Sequence, residues 1–481
     1  MSLRQTALKG MFWTYLDQFG GQIISFVISV VLARILLPEE FGIIAILMVF
    51  IAISNSLVSS GFAQALIRKK DVDELDYSSV FYVNLSISII VYLILFFSAP
   101  LIANFYSDPR LTLLTRVIGI GTILSAFSLV QVARLSQLMD FKTQMTVRLP
   151  SLLAGGIVGI WAALHGYSYW SLVMQMLCTQ FLSTIQLWLR TGWYPKRVFS
   201  MERIKAMFSF GSRLMLSGLL DTIYTNIYTI IIGKFFSPAE VGFYNRANNT
   251  KQLPVLNISN ALNKVTYPLF SKIQDEDERL KEAYRKILQQ VLFWIAPVLI
   301  GMAVLAVPLF RFLFTEKWLP AVPYFQILCM VGILYPLNSY NLNILKVKGR
   351  SDLFLRLEII KKTIVTASIF IALPFGVIGL VWSQVGLSII AYFINSYYSG
   401  RFINYPVWEQ IRNITPTILN SFLMGAVLYV ILLYTPALSD LFVLVAGTII
   451  GGLIYFGGAY LLRLDALDEF WGILKLKRKK S

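Results

Sequence analysis

Arg213, Ser217, Asp221, Tyr224 and Tyr228 recur at intervals of four, four, three and four residues, which sets them along one face of an α-helix. A second polar set follows in the next helical segment: Arg246, Thr250, Lys251, Asn257, Asn260 and Lys264, interrupted by Pro254. Asp17 has a comparable place in the first segment, beside Gln18, Gly20, Gly21 and Gln22, and Arg116 is a further isolated cation. These types supply cations for an anionic group, and amides, hydroxyls and aromatic faces of the kind that hold a polyhydroxylated molecule. Candidate substrate-binding residues are therefore Arg213, Asp221, Tyr224, Arg246, Lys251, Asn257, Asn260, Lys264 and Arg116. Asp17 and Asp221 are the candidates for ion coupling.

Each has a structural alternative. Asp221 can pair with Arg213 or Asp17 to hold helices together. Arg246 and Lys264 lie near helix ends and can snorkel to headgroups. The mid-helix asparagines can serve as interhelical glue, and Arg34 and Lys234 as loop anchors. Other chemistry has little to stand on. The single histidine, His165, falls at a tight turn, and Cys178 and Cys329 have no CxxC spacing, so no metal site is indicated. No GxxxxGK[ST] sequence is present, and nothing points to a cofactor or to enzymatic catalysis.

The elements that must position these residues follow from composition. The chain has 481 residues, 57% hydrophobic and 14% charged, too few polar groups to cover a water-soluble particle. The apolar residues fall in about fourteen blocks long enough to cross a bilayer: near 11–33, 41–63, 80–103, 111–131, 147–165, 167–189, 207–232, 242–264, 290–314, 321–345, 357–373, 376–399, 413–434 and 440–462. Met1 to Gly10 has no cleavable-signal pattern, so the first helix is expected to stay in the mature protein. The net charge of +17 is spread over alternate connections rather than one patch, which argues against nucleic acid and for membrane-lipid topology signals. The N-terminal tail and every second connection hold 32 of the 42 Lys and Arg residues, placing both termini in the cytoplasm. The opposite loops are too short to form a catalytic domain. The longest cytoplasmic loop, near 272–289, reads as an amphipathic surface helix.

Ala33–Gly42 (ARILLPEEFG) and Gly233–Gly242 (GKFFSPAEVG) match at an offset of 200 residues, pairing Pro38 with Pro238, Glu40 with Glu240 and Gly42 with Gly242. Six helices separate the copies, so both enter the membrane from the same side, as in parallel transporter repeats. The division expected is 1–200, 201–400 and 401–481: two six-helix halves, then two further helices and a basic cytoplasmic tail.

The opening stretch KGMFWTYLDQFGGQIISFVISVVLARILLPEEFGIIAI and the midsection GKFFSPAEVGFYNRANNTKQLPVLNISNALNKVTYPLFSKIQ resemble polysaccharide-repeat-unit flippases, the Wzx/WzxC-like branch of the MOP exporter superfamily. That resemblance implies an all-α polytopic membrane fold, a MATE-like V of two six-helix lobes with helices 13 and 14 appended. It also implies translocation of undecaprenyl-diphosphate-linked oligosaccharide across the bacterial cytoplasmic (inner) membrane by alternating access, for O-antigen, exopolysaccharide or capsule synthesis. A polysaccharide polymerase and export machinery are candidate partners. Two rivals stand beside this reading. A MATE-type cation/drug antiporter would favour a cavity dominated by carboxylates, and a membrane glycosyltransferase or polymerase would need a sizeable extramembrane catalytic loop.

Overall fold

The computed structural model describes residues 3–59, 61–69, 71–434 and 438–470; for 3–8, 209, 210, 213, 214, 260–265, 267 and 268 it describes the backbone alone. The described residues form α-helices joined by short turns, with no strand among them. In order these are α1 (Leu3–Ile35), α2 (Pro38–Ser59), α3 (Phe62–Arg68), α4 (Glu74–Tyr106), α5 (Arg110–Gln137), α6 (Phe141–Leu164), α7 (Trp170–Thr191), α8 (Met201–Thr225) and α9 (Ile227–Phe235). Then come α10 (Pro238–Lys272), α11 (Asp277–Val304), α12 (Ala306–Phe314), α13 (Val322–Val347), α14 (Ser351–Ala372), α15 (Gly376–Phe402), α16 (Val407–Leu433) and α17 (Asp440–Leu461). Among the described residues, eleven stretches are long and apolar enough to cross a membrane, twelve if the bent pair α8–α9 is one span. One of them, Ser351–Phe402, holds both α14 and α15, split by the turn at Leu373–Phe375. This is a multi-pass membrane protein; the apolar blocks of the sequence fall on helices among the described residues, but α10, which holds the 242–264 block, is not among the stretches apolar enough to cross.

Several stretches differ in detail from the sequence reading: α2 ends at Ser59 within the 41–63 block and α3 starts at Phe62. The 207–232 block is two helices, bent by 45° at Asn226, whose amide folds back to donate to the Thr222 carbonyl (2.8 Å). The charged 272–289 stretch is not a separate surface helix: from Asp277 it is the first part of α11 and runs unbroken into the membrane segment. The 290–314 block breaks at Leu305 into α11 and α12.

The helices divide into two compact units, Met1–Gly242 and Phe243–Ser481. The division falls inside α10, after its first turn, so α8 and α9 pack with the first unit. The sequence repeat, by contrast, starts its second copy near residue 201. Within the first unit Phe62, Val80, Phe81, Val130 and Trp193 form a buried core. The connection after α7 docks on the start of α4. Trp193 Nε1 donates to Glu74 (2.9 Å), and the Lys196 and Ser200 amides donate to the Ser78 and Ser79 hydroxyls (3.0 and 2.9 Å). Arg203 closes this clamp on Asp73 and Asp76 (2.5 and 3.2 Å).

The repeated turns meet each other inside the first unit. A Cβ on Gly42 would stand 1.7 Å from the Pro238 carbonyl oxygen, and one on Gly242 would stand 2.0 Å from that of Pro38. The contact is reciprocal, as a two-fold relation requires, and only glycine permits it. Because the turns touch, they lie on one membrane face, which a parallel repeat demands and an inverted repeat forbids.

In the second unit, Phe293, Phe310, Phe314, Trp318 and Phe325 are wholly buried. Pro297 lies inside α11 and lacks the N–H that the Phe293 carbonyl would accept from; Tyr455 of α17 donates its hydroxyl there instead (2.8 Å). Buried Asn341, Ser399 and Gln410 join α13, α15 and α16 through side-chain hydrogen bonds. Uncompensated, such groups would be expensive in a bilayer.

Candidate functional site

On α8, Ser217 and Asp221 are exposed and Tyr224 is half-buried, whereas Tyr228, beyond the bend, is buried in α9. The polar face read from the sequence therefore ends at Asn226. The Arg213 side chain, at the other end of that face, lies outside the described residues, as do those of Asn260 and Lys264.

Two of the candidates on α10, Arg246 and Lys251, turn inward. Arg246 is 9% exposed, its guanidinium 4.7 Å from the Phe314 ring and 4.8 Å from that of Trp318. Sequence spacing placed Arg246 on a polar face; in the structure two aromatic faces and burial hold it. Lys251 is also buried, its stem lying along α13 where Gly332 leaves room; a Cβ there would meet Lys251 Cδ at 3.3 Å. The Asn257 amide donates back to the Leu253 carbonyl (2.8 Å).

Arg116 has a local structural task. Pro100 deprives the Phe96 carbonyl of its helical donor, and Arg116 Nε points to that oxygen at 3.4 Å while its guanidinium lies 4.3 Å from the Phe96 ring. Asp17, proposed as an ion-coupling group, is salt-bridged to Arg148 of α6, Nη1 to Oδ2 2.7 Å. It pairs with neither α8 candidate by this contact. Arg148 stands at the very start of the 147–165 block, where it reads as one more basic residue of the preceding connection rather than as a residue inside the membrane. The signal was Asp140, whose carboxylate caps the Thr143 amide (3.0 Å) and starts α6 seven residues before Arg148.

The second unit also holds an apolar cavity of about 810 Å³ among α11, α12, α13, α15, α16 and α17, with the Arg311–Asp440 ion pair (3.3 Å) in its wall. No sequence spacing marked it, because its lining comes from six helices whose residues read as ordinary apolar segments. Among the described residues, no three His, Cys, Asp or Glu side chains are grouped to hold a metal ion.

Residues 31–323 match the family model described as Polysaccharide biosynthesis protein. The chain belongs to that family. Its matched region takes in the Pro38–Gly42 and Pro238–Gly242 turns and the polar stretches of α8 and α10. Relatives include the lipopolysaccharide biosynthesis protein WzxC of Escherichia coli (24% identical; 89% of each chain covered) and the teichuronic acid biosynthesis protein TuaB of Bacillus subtilis (26%; 91% of each). Among solved structures, the inward closed conformation of the lipid II flippase MurJ superposes with a TM-score of 0.75 at 15% identity, covering 95% of this chain and 100% of that one. At that identity the likeness shows the fold. Family membership and fold together bear out the resemblance carried by the opening stretch and by the midsection, and the all-α polytopic architecture it implied.

Proposed function

We propose that the chain is a flippase that moves an undecaprenyl-diphosphate-linked oligosaccharide across the bacterial cytoplasmic membrane, by alternating access, in polysaccharide biosynthesis. The observation that carries this reading is the family match over residues 31–323 in a chain with the fold of a lipid flippase. The relatives' names supply the pathway class and MurJ the kind of cargo, a lipid-linked saccharide. Such a protein binds and reorients its cargo without making or breaking bonds in it, so no catalytic residue is assigned. The cytoplasmic placement of both termini is part of the reading and rests on the Lys and Arg distribution.

In this reading the exposed face of α8 is the substrate surface. Arg213 would meet the diphosphate, and Ser217, Asp221 and Tyr224 the sugars. Bilayer-depth charges of this kind are costly unless they face water or a partner. A cation exporter of the same fold would need unpaired carboxylates at that depth, and Asp17 is already neutralised by Arg148. The test is complementation of a strain lacking its own repeat-unit flippase. Export restored by the wild type and lost in Arg213→Ala and Asp221→Asn at normal membrane abundance supports the assignment. Export by neither wild type nor variants, across strains making different glycans, would refute it.

A further inference from the structure

The Asp17–Arg148 pair is held in an unequal way. The carboxylate is 22% exposed and uses Oδ2 alone; Oδ1 is enclosed with no hydrogen-bond partner. The Arg148 side chain is 56% exposed and engages Asp17 through Nη1 alone, which leaves Nε and Nη2 outside the ion pair. Gly21, one turn beyond Asp17, lets the guanidinium lie against α1; a Cβ there would stand 3.4 Å from Cζ.

Depth makes this arrangement informative. Arg148 is seven residues into α6, about 10 Å from the helix end that the proposed topology puts at the cytoplasm. Asp17 is eight residues beyond Lys9, where the apolar part of α1 begins, about 12 Å in. A half-exposed Arg side chain at that level is costly in hydrocarbon unless it meets water or an anion. Nearer the cytoplasm on the same seam, Lys142 sits over the Trp13 ring at 5.6 Å, and Trp13 is one turn before Asp17 on α1. The seam thus offers a cation over an aromatic face, then a second, half-exposed cation.

We propose that Arg148 is a receptor for the phosphoanion of the cargo and that Asp17 is its internal competitor. In the empty protein Asp17 occupies the guanidinium. A diphosphate, with more charge and more oxygens than a carboxylate bound through one, displaces it and takes the fork in bidentate fashion. When the cargo leaves, Asp17 closes the pair again, so the site does not hold its product. An ion pair of this exposure contributes modestly, up to ~1 kcal/mol, which is the size an exchangeable lock needs. This inference rests on the flippase reading for the identity of the anion.

The experiment measures binding of undecaprenyl diphosphate, with undecaprenol as the uncharged control, to the full chain in nanodiscs. Asp17→Asn keeps the shape of the side chain and removes the competitor. It is expected to bind undecaprenyl diphosphate about fivefold more tightly than the wild type, with undecaprenol unchanged. Arg148→Ala is expected to bind it at least tenfold more weakly. A merely structural pair predicts that both variants lose thermal stability and bind the diphosphate equally well or equally worse. Unchanged or weaker binding by Asp17→Asn overturns the exchange, whatever Arg148→Ala does. Should the wild type bind undecaprenyl diphosphate no better than undecaprenol, the flippase reading falls with it.

Discussion

The Tyr455 hydroxyl donates to the Phe293 carbonyl oxygen across 2.8 Å, and that oxygen is the one that Pro297 leaves without a helical donor. α17 therefore completes the hydrogen bonding of α11, and the C-terminal helix pair is built into the second unit rather than attached to its surface. Arg116 serves Phe96 in the same way opposite Pro100. Two prolines inside apolar helices are tolerated because a side chain from another helix takes up the freed carbonyl.

Tyr455→Phe should lower thermal stability by about 1–3 kcal/mol, the usual effect of leaving a buried acceptor unpaired. Pro297→Ala returns an N–H to that carbonyl, so the same Tyr455→Phe change in the Pro297→Ala background should be much milder. Melting curves of the four proteins in one detergent give the comparison. Equal losses in both backgrounds would show that the hydroxyl acts elsewhere.

The Gly42–Pro238 and Gly242–Pro38 contacts make a symmetric prediction. Gly42→Ala and Gly242→Ala should each weaken the protein by a similar amount, about 1–3 kcal/mol from overpacking against backbone that cannot yield, and both should impair export. Alanine at Gly349 or Gly452, where a Cβ meets nothing, tests whether the effect is specific; Gly452 is the cleaner control, since Gly349 has φ 68°. A tolerated Gly42→Ala with normal melting would mean the two turns do not pack as described.

Topology can be read with reporter fusions. Fusions after residues 200 and 350 should report the cytoplasm, and one near 107 the external side. An external signal at 350 would break the alternation of the second half and with it the count of fourteen spans.

The clamp between α4 and the connection after α7 should be sensitive to acid. The Arg203 guanidinium hydrogen-bonded to Asp73, with help from the Asp76 amide, holds the Asp73 carboxyl well below its usual value of 3.8. A group whose folded value is depressed adds stability above its unfolded value and loses it as pH falls. Stability conferred by Asp73 should therefore be present at pH 6 and fade below about pH 4. Asp73→Asn should be less stable than wild type at pH 6, with the difference shrinking towards pH 3. Because Asp73 is half exposed, the difference is expected to be small and to diminish in high salt. A difference that grows on acidification would contradict the assignment.

What the sequence disclosed depended on how local the governing physics was. Helix existence was legible because apolar blocks near bilayer length have few alternatives, and the turns at Gly166 and Pro374–Gly376 were marked by their own residues. The repeat was legible because Pro38 and Gly42 recur at the same spacing in Pro238 and Gly242. The side-chain roles were not, because each is set by a partner far along the chain. Arg246 is read differently once Phe314 and Trp318 lie against it, and Arg116 once Pro100 is seen to orphan Phe96. Periodicity put Tyr228 on the face of Asp221, but Asn226 bends the helix between them. The 810 Å³ cavity left no mark at all, since apolar lining looks like apolar span.

The last prediction separates cations that hold the protein together from one proposed to hold the cargo. Arg246 is buried against Phe314 and Trp318, and cation–π contacts in such surroundings are worth about 2 kcal/mol each. Arg246→Ala removes them and leaves a hole, so it should reduce membrane abundance and melting temperature, with export falling in proportion. Arg246→Lys should recover part of the stability, because an ammonium retains the charge but cannot stack as a planar guanidinium does. Arg213→Ala should behave oppositely, with normal abundance and melting and export lost. The measurement is glycan export in a complemented flippase-null strain, divided by the amount of protein in the membrane on a blot. If Arg246→Ala is made and melts normally yet exports nothing, Arg246 acts on the cargo and the structural role given to it here is wrong. If Arg213→Ala exports fully at normal abundance, Arg213 does not hold the cargo, and Arg148 is left as the proposed receptor for the diphosphate.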